Sequence, residues 1–288
     1  MLYLSQFEFP DEEREMDFIF KQKRTCYDTY YPFKVLSAHQ LSVLNFERIT
    51  ILYGGNGSGK TTALNVMAEK LGLERDTLYN RSAFFEDYTA LCSYVTERLP
   101  SEESRIITSD DVFDFMLNLR SINQGIDQKR EELFEEYKEM KYSRFQMKSL
   151  EDYEQLKKVT AARRKTQSKY VRGNLAENVK ERSNGESAWL YFTNRIKENA
   201  LYLLDEPENS LSPKKQQELA GFLEDSVRFF GCQLVIATHS PFFLALKDAK
   251  IYDMDAEKTS VRQWTKLENV RAYYDFFKAH ERELEEGK

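Results

Sequence analysis

The chain has 288 residues, of which 41% are hydrophobic and 31% charged, and its formal net charge is −6 at pH 7. This length suits one large domain or two small ones, and the negative charge argues against a simple polyanion-binding protein. No apolar run approaches the roughly 20 residues that cross a bilayer. Three separated cysteines and an acidic N-terminal stretch, unlike a signal peptide, favour a reducing cytoplasm over zinc or disulfide frameworks.

The first segment is rich in β-formers. Residues 2–9, 17–21 and 33–36 predict strands that pair antiparallel. A glycine-rich loop then follows an apolar, β-branched stretch at 49–53, and apolar residues recur at helical spacing over 61–71. Gly54 and Gly59-Lys60-Thr61 fit G-x-x-x-x-G-K-[ST]. In this context the pattern predicts an anion-binding nest at a helix N-terminus, rather than a chance glycine turn.

The residue types of this loop suit a nucleoside triphosphate with Mg²⁺. Glycines let consecutive N–H groups curl around phosphate oxygens without a Cβ in the way. Lys60 can reach the β- and γ-phosphates, and the Thr61 hydroxyl can ligate Mg²⁺. The predicted phosphate-binding residues are Gly54, Gly55, Asn56, Gly57, Ser58, Gly59, Lys60, Thr61 and Thr62.

Polar residues end two further apolar strands. Residues 201–204 predict a strand that delivers Asp205 and Glu206, and residues 234–237 predict one that delivers His239. The carboxyl ends of parallel strands face the ligand crevice of an open α/β sheet. Asp205 is expected to hold Mg²⁺ with Thr61, and Glu206 to polarise the attacking water. His239 is expected to hydrogen-bond the γ-phosphate and position that water, with Lys60 as the third catalytic group.

A Ser/Gly turn at residues 183–187, S-N-G-E-S, precedes a predicted helix over 188–196. Such a turn is an anion site at a helix start. Lys60 already holds one triphosphate, so this turn is predicted to bind another nucleotide through Ser183, Gly185 and Glu186.

These pieces, in this order, resemble the ATP-binding-cassette (ABC) ATPase superfamily. Residues 54–62 resemble its Walker A loop, 201–206 its Walker B strand, 183–186 its signature, 209–212 its D-loop, and His239 its switch histidine. The resemblance implies ATP and Mg²⁺ as cofactors and a head-to-tail homodimer. Each ATP would then lie between Walker A of one chain and Ser183 and Gly185 of the other.

The segments DEPENSLSP (205–213) and THSPFF (238–243) resemble most the sequences of the SMC/RecF-like branch and its small stand-alone bacterial relatives. That branch includes DNA-repair and phage-defence ATPases, whereas transporter subunits carry a longer signature. Two family features stay unassigned. Gln124 lies in helical surroundings, so Ser109 or Asp110 after a strand at 106–107 is an alternative to the Q-loop glutamine. Tyr27, Tyr30, Tyr31 and Phe33 are candidates to stack on adenine, with packing as the alternative.

A charged insertion separates the two ATP-binding halves. Residues 112–169 contain no proline and one glycine, which predicts two or three helices in a short hairpin. Residues 141–182 hold twelve Lys and Arg against five Asp and Glu. Three interpretations stay open: a solvated helix face that pairs with the acidic stretch before it, a DNA or RNA surface, or a surface for an acidic protein. The predicted contacts are Arg163, Arg164, Lys165, Lys169 and Arg172, with Tyr142, Phe145, Tyr153 and Tyr170 interleaved.

The sequence therefore predicts an α/β P-loop NTPase of ABC-ATPase type, with a mixed central sheet, antiparallel N-terminal strands and a short helical insertion. The expected divisions are 1–83, an insertion at 84–182, and 183–288. The expected function is ATP-driven dimer closure in DNA repair or anti-phage defence. The alternative is an ATP-gated switch that holds a separate nuclease or toxin, and a transporter-coupling subunit is a weaker one. No contact with a membrane is expected.

Overall fold

The computed structural model describes residues 1–23, 26–145, 153–175 and 183–286. The chain forms two compact units, one of residues 1–113 with 184–288 and the other of residues 114–183. The insertion was expected to begin at residue 84, but residues 84–113 belong to the first unit. Phe84, Phe85 and Tyr88 explain this difference, because all three are buried in its hydrophobic core.

The described residues form nine strands and eleven helices. The strands are β1 (Leu4–Glu8), β2 (Val43–Asn45), β3 (Ile49–Tyr53), β4 (Ser93–Thr96), β5 (Arg105–Thr108), β6 (Leu201–Asp205), β7 (Gln233–Thr238), β8 (Lys250–Asp253) and β9 (Ser260–Val261). The helices are α1 (Glu12–Lys21), α2 (Lys60–Leu71), α3 (Phe85–Leu91), α4 (Ser109–Tyr142), α5 (Tyr153–Arg164), α6 (Gln167–Asn174), α7 (Asn184–Arg195), α8 (Pro213–Phe229), α9 (Pro241–Leu244), α10 (Glu268–Ala279) and α11 (Glu281–Glu286).

The central sheet has six strands in the order β5-β6-β7-β3-β8-β9 and is parallel except for the β8–β9 pair. Every residue of β3, β6 and β7 is buried. This burial on both faces explains why these strands read as continuous apolar runs. The predicted α/β class with a mixed central sheet is confirmed.

A separate antiparallel sheet has the order β2-β1-β4. The strand predicted at 17–21 is wrong, because these residues lie in α1. The Asp11 side chain caps this helix by accepting from the Arg14 N–H at 2.9 Å, and Phe18 and Ile19 pack on the core. The strand predicted at 33–36 is also absent from this described segment, where Lys34 has a left-handed backbone with φ 65°.

Strand register brings the ends of the parallel strands to one edge of the sheet. Thr108 is opposite Asp205, Asp205 is opposite Ala237, and Thr238 is opposite Tyr53. The residues that follow β3, β5, β6 and β7 therefore meet where a ligand crevice is expected.

The second unit is helical, and it has its own apolar core of Leu133, Tyr137, Ala162, Tyr170 and Val171. In the first unit, α10 and α11 cover the predicted C-terminal helix. Among the described residues, no helix combines the length and apolarity that a membrane span requires.

Candidate nucleotide site

The loop between β3 and α2 has the backbone of an anion nest. Gly57 and Gly59 both have left-handed φ values, 88° and 87°, which favour glycine. A Cβ on Gly54 would lie 2.5 Å from the Ser58 hydroxyl, and one on Gly59 would lie 2.9 Å from a Leu36 methyl. Gly54, Gly57 and Gly59 are therefore required by this loop conformation, whereas a Cβ on Gly55 would meet only ordinary contacts at 3.7 Å or more.

Lys60 is held by the loop itself. Its Nζ donates to the carbonyl oxygens of Gly54 at 2.8 Å and Gly55 at 2.9 Å, and its side chain is 4% exposed. The Glu206 Oε1 lies 4.0 Å from the same ammonium group. The ammonium group of Lys60 is thus held between two loop carbonyls and one carboxylate.

Thr61 and Asp205 come together as the sequence predicts. The Thr61 hydroxyl donates to Asp205 Oδ1 at 3.2 Å, across the space between α2 and β6. Burial, reinforced by nearby Glu206, raises the pKa of Asp205 to about 6, against the lowering effects of Thr61 and Lys60. A hydroxyl and a carboxylate are oxygen ligands of the kind Mg²⁺ prefers, and a divalent cation would favour the charged form of this buried carboxyl. The residues therefore fit the expected metal.

Glu206 follows β6 with a left-handed backbone, φ 48°, which is strained for a residue with a side chain. Its N–H donates to the Ala237 carbonyl at 2.8 Å, and its Oε2 accepts from the Asn209 amide at 3.1 Å. These contacts hold the residue in its conformation, and its side chain reaches the cavity beside the loop.

That cavity has a volume of about 300 Å³ and contains both the lysine and the proposed base. Its lining residues are Tyr31, Val35, Asn56, Gly57, Gly59, Lys60, Thr61, Thr62 and Glu206. Tyr31 is the aromatic candidate that reaches it, and its hydroxyl lies 3.2 Å from the Thr62 hydroxyl. In contrast, the Tyr27 and Tyr30 rings pack on Phe84, with ring centroids 4.8 and 4.9 Å apart. Phe33 packs on Tyr88 at 4.9 Å.

The other predicted residues lie at the rim or outside the cavity lining. His239 follows β7 and its side chain is 47% exposed. Ser183 directly precedes α7, whose first turn contains Gly185 and Glu186. A Cβ on Gly185 would lie 3.7 Å from the Ser210 carbonyl, so the turn predicted as a signature lies beside the segment predicted as a D-loop, residues 209–212.

The strand end at β5 supplies a neighbour for Asp205, whereas Gln124 lies inside α4. Ser109 is half-buried and Asp110 is exposed. Asp111, one residue further, is buried and accepts from the Thr108 N–H at 2.6 Å and the Thr77 hydroxyl at 2.6 Å. Asp111 thus fastens the start of α4.

Two acidic residues that no local motif marks, Asp255 and Glu208, form hydrogen bonds with the loops that follow β3 and β7. Asp255 follows β8. Both of its carboxylate oxygens accept a hydrogen bond from the Gly55 backbone N–H, each at 2.8 Å. Glu208 is buried between the loops after β6 and β7. Asp255 is 200 residues from Gly55 along the chain, and its role follows from the β3–β8 pairing rather than from a local motif.

In the second unit, Arg163, Arg164, Lys165, Lys169 and Arg172 are all exposed. Tyr142 is exposed as well, but Tyr170 is buried, and its ring lies 5.5 Å from that of Tyr137. Its hydroxyl donates to Glu136 at 2.5 Å. Tyr170 is therefore a core residue. The prediction that its ring is available to stack on a nucleobase is wrong. The side chain of Tyr153 lies outside the described part.

Several solved structures are similar to this chain at low sequence identity. The Smc head domain bound to the C-terminal domain of ScpA, derived from Pyrococcus furiosus, has 14% identity and a TM-score of 0.44, over 97% of this chain and 100% of that one. The SMC head domain from Thermotoga maritima has 12% identity and a TM-score of 0.44, over 91% and 99%. The dimeric post-hydrolysis structure of the ATP-binding cassette MJ0796 bound to ADP and Pi has 15% identity and a TM-score of 0.35, over 76% and 88%.

Among curated proteins, none matches this chain. A family model described as "AAA domain, putative AbiEii toxin, Type IV TA system" matches residues 66–245. The match covers more than half of the chain and includes β6, β7 and the loops that follow them. The protein therefore belongs to this AAA-domain family.

Proposed function

We propose that this protein binds ATP with Mg²⁺ and hydrolyses it. The observation that carries the proposal is the 3.2 Å contact between Thr61 and Asp205, beside a glycine loop that holds Lys60 within 4.0 Å of Glu206. These contacts bring two oxygen donors, a lysine and a second carboxylate to one edge of the sheet, which supports the proposed roles of metal ligands, phosphate-binding group and base.

Each residue has a separate task in this proposal. The loop N–H groups and Lys60 bind the β- and γ-phosphates, with Lys60 exchanging its loop carbonyls for phosphate oxygens. Thr61 and Asp205 would hold Mg²⁺, which supplies charge neutralisation on the phosphate oxygens when bound. Glu206 accepts a proton from the attacking water, and Asn209 keeps its carboxylate oriented.

The first experiment is ATP binding and turnover by the purified protein with and without Mg²⁺, next to Lys60→Ala. We expect Mg²⁺-dependent turnover in the natural protein and loss of ATP binding in the variant, since Lys60 is the buried cation of the loop. Lys70→Ala is the matched control, because that lysine lies in the last turn of α2. Turnover that persists in Lys60→Ala at the natural rate would overturn the assignment.

The signature turn supports an ATP-dependent homodimer. Ser183, Gly185 and Glu186 do not line the described cavity beside the glycine loop. The resemblance to ABC ATPases implies this separation, because there the signature residues contact the ATP bound by the other chain. Ser183→Arg should leave ATP binding by the monomer intact and block ATP-induced dimerisation, as measured by light scattering. Unchanged dimerisation would remove the signature assignment.

The second unit presents a cluster of exposed bases that we call the basic arm: Arg163, Arg164, Lys165, Lys169 and Arg172. This cluster supports a role as a nucleic-acid-responsive ATPase in DNA repair or anti-phage defence. In the described part of the second unit, lysines of the acidic stretch in α4 form ion pairs with acids of the same helix. Lys129 pairs with Glu132 at 2.7 Å, and Lys138 pairs with Glu135 at 2.7 Å. Among the described residues, the ion pair between Lys158 and Glu136 at 3.0 Å joins the acidic stretch to the basic one. Arg164, Lys165, Lys169 and Arg172 have no ion pair among the described residues. A polyanion is the ligand that such a surface fits.

The alternative is a switch that holds a separate toxin or nuclease, and the toxin named in the family description favours this class. ATP turnover with duplex DNA, single-stranded DNA and RNA at two salt concentrations separates the two. Stimulation that weakens with salt supports the nucleic-acid role. An identical rate under all conditions supports the switch.

A further inference from the structure

A buried carboxylate joins the loop after β6 to the loop after β7. The Glu208 side chain is 5% exposed. Its Oε1 accepts from the Thr238 hydroxyl at 2.6 Å, the His239 N–H at 3.0 Å and the Ser240 N–H at 3.2 Å. All three partners are donors, so one oxygen of this side chain joins three groups of the β7 loop. Its Oε2 is buried without a hydrogen-bond partner in the described structure.

The same carboxylate faces the imidazole ring of His239. Nδ1 lies 3.4 Å from Glu208 Oε1, which is close enough for electrostatic attraction although the two atoms are not aligned as a hydrogen bond. A lone pair on Nδ1 would repel the carboxylate, whereas a proton there is attracted to it. A neutral imidazole carries one proton, so this proton leaves Nε2 with the lone pair.

The backbone of His239 is fixed from two sides, which limits how the ring can move. Its N–H is bound to Glu208, and its carbonyl accepts from the Asn269 amide at 2.7 Å. The next residue is held as well, since the Ser240 hydroxyl donates to Gln216 at 2.7 Å. The ring is thus presented from a rigid loop, and its exposed side is free to meet a ligand.

We propose that Glu208 is a positioning residue for His239, fixing the ring proton on Nδ1 so that Nε2 is presented as a hydrogen-bond acceptor. The proposal rests on the proposed ATPase function and refines it. In the neutral ring, Nε2 accepts a hydrogen bond from the attacking water, while Glu206 takes the proton that the water loses. Direct donation from Nε2–H to the γ-phosphate, expected from the sequence, is then the minor arrangement.

The tautomer can be measured without nucleotide. Long-range ¹H–¹⁵N correlation spectra of ¹⁵N-labelled protein distinguish Nδ1–H from Nε2–H, and the chain has only three histidines to assign. His239→Gln identifies the signals of this ring. We expect Nδ1–H in the natural protein and a shift toward Nε2–H in Glu208→Gln. Glu218→Gln makes the same chemical change on α8, where Glu218 pairs with Lys215, and should leave the His239 spectrum unaltered.

Turnover supplies an independent readout. Glu208→Gln retains an amide oxygen for the three donors, so its ATP affinity should stay within about twofold of the natural value. Its kcat should fall by about tenfold or more, because the attacking water is less well oriented and general-base assistance is partly lost. In a His239→Ala background the same substitution should change kcat by less than about twofold, since its partner is gone. A purely structural role would lower kcat equally in both backgrounds.

Nε2–H in the natural protein, or an equal effect of Glu208→Gln with and without His239, overturns the assignment. Absence of any ATP turnover in the natural protein would instead overturn the proposed function. The spectra would still decide the Glu208–His239 relation in that case, so the two failures are distinguishable.

Discussion

The cavity beside the glycine loop and the basic arm differ in the burial of their charged side chains. In and around the cavity, Lys60, Asp205 and Glu208 are buried and each has defined hydrogen-bond partners. On the arm, the bases from Arg163 to Arg172 are exposed on the surface of a small helical core. Buried charges act through geometry and are sensitive to one atom, whereas exposed charges act through their sum. Substitutions should therefore have large, local effects in the first region and graded, salt-dependent effects in the second.

The largest effect is expected at the proposed base. Glu206→Gln keeps the shape and the Asn209 contact but cannot take a proton, so kcat should fall by a factor of about 10² to 10⁴. ATP binding should persist and trap the closed dimer, which size-exclusion chromatography with ATP detects. Glu224→Gln, on α8, serves as the control, because its carboxylate accepts from the Lys247 N–H outside the cavity lining. Normal turnover by Glu206→Gln would remove Glu206 as the base.

Charge reversal of the arm tests whether exposed charges act as a sum. Arg163, Arg164 and Lys165, all replaced by Glu, should abolish any stimulation of turnover by DNA or RNA and weaken binding by a factor of ten or more at low salt. The control replaces Lys129, Arg130 and Lys138 by Glu, since these bases are paired with acids in their own helix. Equal losses in both triple variants would mean that net charge, and not the basic cluster, is read.

A smaller effect is expected at Asp255, which accepts from the Gly55 N–H with both oxygens at 2.8 Å. Asp255→Ala leaves that amide without its acceptor and frees the first half of the loop. Hydrogen bonds to a charged acceptor contribute about 1.5–3 kcal/mol, so ATP affinity should fall about tenfold or more. Isothermal titration with ATP measures this loss, and Asp255→Asn should restore part of it. Full affinity in the alanine variant would show that the loop needs no support from β8.

The smallest effect concerns Glu15, far from the phosphate loop in sequence. Burial raises the pKa of this carboxyl, partly offset by donation from the Lys34 N–H and the Ser37 hydroxyl. The folded state then binds a proton more tightly than the unfolded state, so this contribution to stability is present at acidic pH and lost as pH rises above 4.5. Glu15→Gln should therefore raise Tm relative to the natural protein at pH 7 and gain less at pH 4.5, by scanning calorimetry. A pH-independent difference would contradict the shifted pKa.

Local patterns allowed the phosphate loop, the Thr61–Asp205 pair and the position of Glu206 to be predicted. Each depends on a strand, a turn and a helix that are adjacent in sequence, together with the rule that parallel strands end at one edge. Asp255 and Glu208 could not be found in this way, since their partners are brought close only by strand pairing. The segment at 17–21 was misassigned because apolar residues at short spacing suit a strand as well as a helix, and the Asp11 cap decided between them.

The pairing of β3 also has a consequence for synthesis of the chain. Both neighbours of β3 in the sheet, β7 and β8, begin at residue 233 or later. A nascent chain leaves the ribosome from its N-terminus. The apolar segment I-T-I-L-Y is therefore without both of its strand partners while almost 200 further residues are synthesised. Open apolar edges are templates for aggregation, which makes this interval the one in which a chaperone is most needed. The loop after β3 acquires its hydrogen bond to Asp255 only after that residue, 200 positions later in the chain, has been synthesised.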